Sequence, residues 1–239
     1  SFYQTLPRTN TLSGAITRAI NISFASTVNS NGGFIITDNF IGGTAPGANG
    51  SDWVQTVSGV GVSQTMSVIA VTSGLIPNSI QNNTIRKIDF TTNAPAAAAS
   101  VWIGIQTVQG VYNIGNIAGN TIGSGSGQDH IKLTINAGGA VSSFIAGIYF
   151  QGGAGYANIQ NNTIGGITIN GSTITGAIIP QWIQIQGTPS QTTTISNNLI
   201  GSLGTANSIR NLATAPPVIG FAVRQVITSG AGLVMNNNT

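Results

Sequence analysis

Ile159-Gln160-Asn161-Asn162-Thr163-Ile164-Gly165-Gly166-Ile167 is the stretch that decides the fold, because variants of it recur along the chain. Earlier copies are Ile36-Thr37-Asp38-Asn39-Phe40-Ile41-Gly42, Ile80-Gln81-Asn82-Asn83-Thr84-Ile85 and Ile117-Ala118-Gly119-Asn120-Thr121-Ile122-Gly123. Later ones are Ile195-Ser196-Asn197-Asn198-Leu199-Ile200-Gly201 and Met235-Asn236-Asn237-Asn238-Thr239. The second Asn falls at Asn39, Asn83, Asn120, Asn162, Asn198 and Asn238, so neighbouring copies lie 36 to 44 residues apart. Recurrence at such a spacing marks a repeat architecture, in which each unit buries its apolar face only against its neighbours.

A second pattern stands upstream of each motif. It reads Ala146-Gly147-Ile148-Tyr149-Phe150-Gln151-Gly152, Ile103-Gly104-Ile105-Gln106-Thr107 and Trp182-Ile183-Gln184-Ile185-Gln186-Gly187, with looser versions at Ser67 to Val71, Phe221 to Arg224 and Ala19 to Phe24. Short alternating runs of β-branched residues bounded by Gly are strand signals. One repeat is therefore expected to hold a strand, a short Gly/Ser link, a second strand ending in Asn-Asn, a third such as Thr163 to Ile169, and a variable link. No two-residue Asn-Gly hairpin joins these strands, so parallel stacking of coils is expected.

The Asn pair has a physical reason in such a coil. Asn tolerates the left-handed backbone of sharp turns. Stacked coil on coil, its carboxamide both donates and accepts along the axis, so a buried polar column can satisfy itself. Asp38 and Gly119 interrupt the first Asn position, whereas the second is unbroken and is expected to carry the structural ladder. The links from Gly43 to Met66, Asp89 to Trp102, Gly123 to Phe144, Asn170 to Gln181 and Ser202 to Gly220 are rich in Gly, Ser, Ala, Thr and Pro and are expected as one-sided loops. The fold class is thus all-β, a β-solenoid of about six coils over residues 1–239, with 1–18 a lead-in and 19–239 the repeats. Both ends fall inside the pattern, which suggests a segment of a longer protein.

Composition narrows the function. Charged residues are 5% of the chain, against about 25% in an ordinary globular protein. With 41% hydrophobic residues, the chain has enough apolar surface to order itself. The seven Lys and Arg are scattered, which argues against nucleic acid. There is no Cys for a disulfide or thiolate metal site, and no apolar run reaches the roughly 20 residues of a membrane helix.

The pairing of Gly-Ile-Tyr-Phe at 147–150 with Asn-Ile-Gln-Asn-Asn-Thr-Ile-Gly-Gly-Ile at 158–167 resembles the right-handed parallel β-helix repeat family, above all the very long, low-charge repeat proteins on the surfaces of Bacteroidetes-type bacteria. The likeness runs from about Ala19 to Thr239. It implies a secreted, extracellular, adhesin-like segment, with surface glycans or further copies of the same fibre as partners. Lyases, hydrolases and tailspikes share the fold, so the competing expectation is a carbohydrate-active or glycan-binding module.

β-Helix lyases and hydrolases need clustered carboxylates. The acids are Asp38, Asp52, Asp89 and Asp129, in separate repeats. Asp129-His130-Ile131-Lys132 is the densest charged run, and His130 with Asp129 would suit a general base. Trp53, Trp102, Tyr156 and Trp182 could stack on sugar rings if exposed. The expectation is no catalytic residue, no metal and no cofactor, with the Asn ladder as the structural signature. Thr runs such as Thr192-Thr193-Thr194 lack the fixed offset of an ice-binding face.

Overall fold

The computed structural model describes residues 1–24, 31–95, 99–136, 143–171, 178–213, 220–227 and 232–239. Among these there is no helix, and the strands form three parallel sheets through which the chain passes in one order, repeat after repeat. The first pass is β1 (Arg8–Asn10), β2 (Ala15–Thr17), β3 (Ile20–Ser23), β4 (Ile35–Thr37) and β5 (Phe40–Ile41). The second is β6 (Trp53–Val57), β7 (Gln64–Thr72), β8 (Asn78–Gln81) and β9 (Thr84–Ile85), and the third is β10 (Ile88–Asn93), β11 (Ala99–Ile114) and β12 (Thr121–Gly123). The fourth is β13 (Ile131–Asn136), β14 (Ser143–Gln160) and β15 (Thr163–Gly165). The fifth is β16 (Ile167–Gly171), β17 (Ile178–Gly187), β18 (Thr193–Ser196) and β19 (Leu199–Ile200), and the last is β20 (Ile209–Asn211), β21 (Phe221–Ile227) and β22 (Leu233–Asn236).

A six-stranded sheet runs β1-β6-β10-β13-β16-β20, and a five-stranded one runs β5-β9-β12-β15-β19. An eleven-stranded long sheet is built on β2-β7-β11-β14-β17-β21, with β3, β4, β8, β18 and β22 beside that path. Each of the first five Asn repeats passes through all three sheets and the sixth through two, so one repeat is one coil. Parallel pairing in register stacks identical side chains. Ile36, Ile80, Ile114, Ile159, Ile195 and Met235 form one column. Ile41, Ile85, Ile122, Ile164 and Ile200 form another. Ile88, Ile131, Ile167 and Ile209 form a third, in the six-stranded sheet. The interior Ile of these columns are fully buried, each stabilising by about 1.5–3 kcal/mol relative to exposure. Trp102, Tyr112, Phe90 and Phe150 fill the wider parts of the core.

The structure differs from the sequence expectations in five places. The links are not simply loops: they hold β6, β13 and β20 and nearly all of β10, most of a sheet. In β13 the alternation of Ile131, Leu133 and Ile135 inward with Lys132, Thr134 and Asn136 between them is a strand signal hidden by the Gly-rich residues around it. The parts of these links at 96–98, 137–142, 172–177 and 214–219 lie outside the described residues. The third strand, expected from Thr163 to Ile169, is cut at Gly166, whose φ of +62° turns the chain from the short sheet into the six-stranded one. The two strands expected before the Asn pair are one strand in the third and fourth coils, β11 and β14. In the third coil the Ile that joins the column is Ile114 rather than Ile117, which is 82% exposed. The residues between Ile114 and Asn120 bulge outward there, so the turn is longer than its counterparts. Residues 1–18, expected as a lead-in, already pair with the stack through β1 and β2.

Candidate functional site

The turn between the long and short sheets carries the polar column. The first residue of the pair, at Asp38, Asn82, Asn161, Asn197 and Asn237, takes φ of 50° to 59°. This left-handed corner aims the second residue inward. Its backbone N–H and its Nδ2 then both donate to the Oδ1 of the next Asn. The distances are 3.1 and 2.9 Å from Asn39 to Asn83, and 3.0 and 2.8 Å from Asn83 to Asn120. They are 3.0 and 2.9 Å from Asn120 to Asn162, 3.0 and 3.0 Å from Asn162 to Asn198, and 3.1 and 2.9 Å from Asn198 to Asn238. The other amide hydrogen reaches back to the Ile carbonyl of the preceding coil, as from Asn162 to Ile114 at 3.0 Å. Asn162 is fully enclosed, yet every polar atom of its carboxamide is used. In the third coil Gly119 stands where a Cβ would lie 1.8 Å from the Asn161 carbonyl oxygen, so no larger residue fits.

A charged strip crosses the six-stranded sheet. The register places Val54, Asp89, Lys132, Thr168 and Arg210 in one row, between rows that point into the core. Asp52 and Asp129 reach the strip from the turns before β6 and β13. Lys132 Nζ pairs with Asp52 Oδ2 at 2.8 Å, and Arg210 Nη2 with Asp129 Oδ2 at 2.5 Å. The Thr168 hydroxyl donates to Asp129 Oδ1 at 2.6 Å and accepts from Arg210 Nε at 2.9 Å. Burial pushes the Asp89 carboxyl up, offset by neighbouring Lys132. The Thr168 hydrogen bond, then the Arg210 guanidinium, hold Asp129 below the usual carboxylate range. The hydrogen bond that Lys132 donates to Asp52 holds its ammonium above the usual lysine range.

Three acids from different repeats thus share one strip with two cations. Their partners were not legible as a set, because Asp89 and Thr168 stand six residues past their ladder Asn whereas Lys132 and Arg210 stand twelve. The signal that finds them is the triplet Ile-X-apolar at 88–90, 131–133 and 167–169, which recurs in the links. Asp129 is turned to Thr168 and Arg210 instead of to His130. The His130 ring packs against Gly166, with Nδ1 enclosed and without a partner, and burial lowers its pKa, helped by Lys87 and Arg86. The dyad read from Asp129-His130 is therefore not assembled. Among the described residues, no group of three His, Cys, Asp or Glu is placed to hold a metal.

The four aromatics do not share a face. Trp102 is 0% exposed inside the core, so it offers no platform to a sugar. Trp182 is 6% exposed and borders a cavity of about 570 Å³ at the open end of the last coil, with Ile200, Ile209 and Phe221. Trp53 heads the inward row of the six-stranded sheet, with Nε1 enclosed, and Tyr156 lies half-buried beside Val111 in the long sheet. No helix among the described residues is long and apolar enough to cross a membrane. Comparison with known family models, curated proteins and solved structures finds no match to this chain.

Proposed function

We propose that the chain is a structural and adhesive segment of a secreted bacterial cell-surface protein or fibre, wound as a right-handed parallel β-helix. The observation that carries this reading is the continuity of the stack. The Asn column and the column from Ile36 to Met235 run from the first coil to the last. A rigid element that can be lengthened coil by coil, each adding about 4.8 Å, suits a stalk. Its low charge and its Gly-, Asn-, Ser- and Thr-rich surface suit contact with glycans or with further fibre segments outside the cell.

Two copies fused in tandem should scatter X-rays as one straight rod of doubled length, and beads coated with the chain should be held by polysaccharide-coated surfaces. A jointed pair of particles that sticks to no such surface would sink the reading. The second reading, a carbohydrate-active or glycan-binding module, is favoured by the convergence of Asp52, Asp89 and Asp129 on one strip. Release of reducing or unsaturated sugar ends that Asp89→Asn abolishes would support it.

A further inference from the structure

We propose that the outer face of the long sheet carries a binding hollow for an acidic polysaccharide, in which Arg18 takes a carboxylate or sulfate of the sugar chain. This inference rests on the adhesive reading and adds the site and the ligand class. Strand alternation turns Ile20 and Ile22 toward the core, so Asn21 and Ser23 face outward. The register continues their two rows into Ala70 and Gln106 and into Thr72 and Val108. Ala70 is the small member of its row. Between the longer Asn21 and Gln106 it leaves a hollow of about 70 Å³, bordered also by Arg18, Ser23 and Thr72. The first and third coils wall this hollow and the second floors it. Coils added along the axis do not cover a face that opens sideways.

The lining is polar and unspent. Among the described residues, the side chains of Arg18, Asn21, Ser23, Thr72 and Gln106 have no hydrogen-bond or ion partner. Further along the same sheet, outward groups are used on one another, as Asn158 is on Asn113 at 2.9 Å and Tyr149 on Gln186 at 2.7 Å. The volume lies well below the roughly 300 Å³ at which small-molecule pockets begin, so the hollow takes one substituent of a larger ligand lying along the face. Arg18 offers an oxyanion a fork of donors, while the two amides and two hydroxyls suit the hydroxyls of the ring that carries it. No described strand of the long sheet contains an acid, whereas Asp52, Asp89 and Asp129 all lie at the six-stranded sheet. An anion approaching the long sheet therefore meets no neighbouring carboxylate. Past the hollow, the row of Thr72 and Val108 runs on through Gln151 and Gln186, which places further amides where the next sugars would lie.

Titration calorimetry of the whole chain with polygalacturonate, dextran sulfate and neutral dextran tests this. At least one acidic chain should bind, less tightly as salt rises, and neutral dextran should not. Binding of polygalacturonate alone assigns a carboxylate, and of dextran sulfate alone a sulfate. Arg18→Gln removes the cation, and Ala70→Gln fills the hollow with the side chain that Gln106 already has in that row. Each should weaken binding about tenfold or more. Arg224→Gln takes the same charge from the same sheet outside the hollow and should change binding by less than about twofold. Circular dichroism of all three variants should match the native chain, which separates lost binding from misfolding. No binding of either acidic chain, equal binding of neutral dextran, or undiminished binding by Arg18→Gln and Ala70→Gln overturns the proposal. So does an equal loss in Arg224→Gln, the mark of diffuse charge attraction. Coated beads of the two hollow variants that adhere to polysaccharide surfaces as the native chain does would overturn the hollow while leaving the adhesive reading intact.

Discussion

At the scale of single residues, Asn162 shows why the motif is repeated so strictly. Its carboxamide is sealed from water and makes hydrogen bonds to the coils on either side and to Gln160 O of its own turn. Asn162→Ala takes the acceptor from both the backbone N–H and Nδ2 of Asn120, the donor from the Ile114 carbonyl and one of two donors from Asn198 Oδ1, and should cost about 1–3 kcal/mol in urea unfolding. Ile164, wholly buried in the neighbouring column, is less forgiving. Ile164→Asp places an unpaired charge in the core and should cost at least about 3 kcal/mol, seen as a collapse of the thermal transition. Tyr112 and Tyr149 supply an alkaline signature. Burial pushes both phenols up to about 12. Since the folded values lie above the unfolded value of about 10, their contribution is complete below pH 10 and falls away as pH rises toward 12. An ultraviolet titration should show two tyrosines ionising only near pH 12 or on unfolding.

At the scale of elements, the six-stranded sheet is joined across coils by its charged row. The Asp129–Arg210 pair is partly exposed, with side chains 40% and 29% accessible, so water screens it. Asp129→Asn should therefore cost only about 0–1 kcal/mol at neutral pH. The sign of its pH dependence follows from a folded pKa below the unfolded one. The contribution is present above the ordinary carboxylate range and is lost as pH falls through the folded value. Acid titration of stability should be shallower in Asp129→Asn, and a native-like acid limb in that variant would contradict the pairing. This row was hidden in the sequence for a plain reason. Its members lie at unequal offsets from the Asn pair, and only the strand register brings Asp89 beside Lys132.

At the scale of the whole molecule, each coil touches only its neighbours, so protection should be graded along the stack. β11 and β14 in the middle coils are paired on both sides, whereas β1, β20 and β22 are each paired on one. Hydrogen exchange followed by mass spectrometry should find the slowest amides in β11 and β14 and the fastest in β1 and β22. Uniform exchange would mean that the stack opens as one unit.

The all-β class, the parallel repeat and the six Asn positions were legible in the sequence, because each depends on local chemistry: alternation for strands, a left-handed corner for Asn, and a repeat that must stack to bury its Ile face. The same local reading mistook a sheet for loops, took Ile117 for Ile114 and did not decide whether Trp102 faces the core or the solvent. Those errors share a cause. Burial and register are set by which strand lies alongside, and links of unequal length between the Asn pairs conceal it. The tertiary structure alone decided which residues of separate coils meet, and so drew Asp52, Asp89, Lys132, Asp129, Thr168 and Arg210 onto one strip, since parallel stacking makes residues about one coil apart in sequence into nearest neighbours in space.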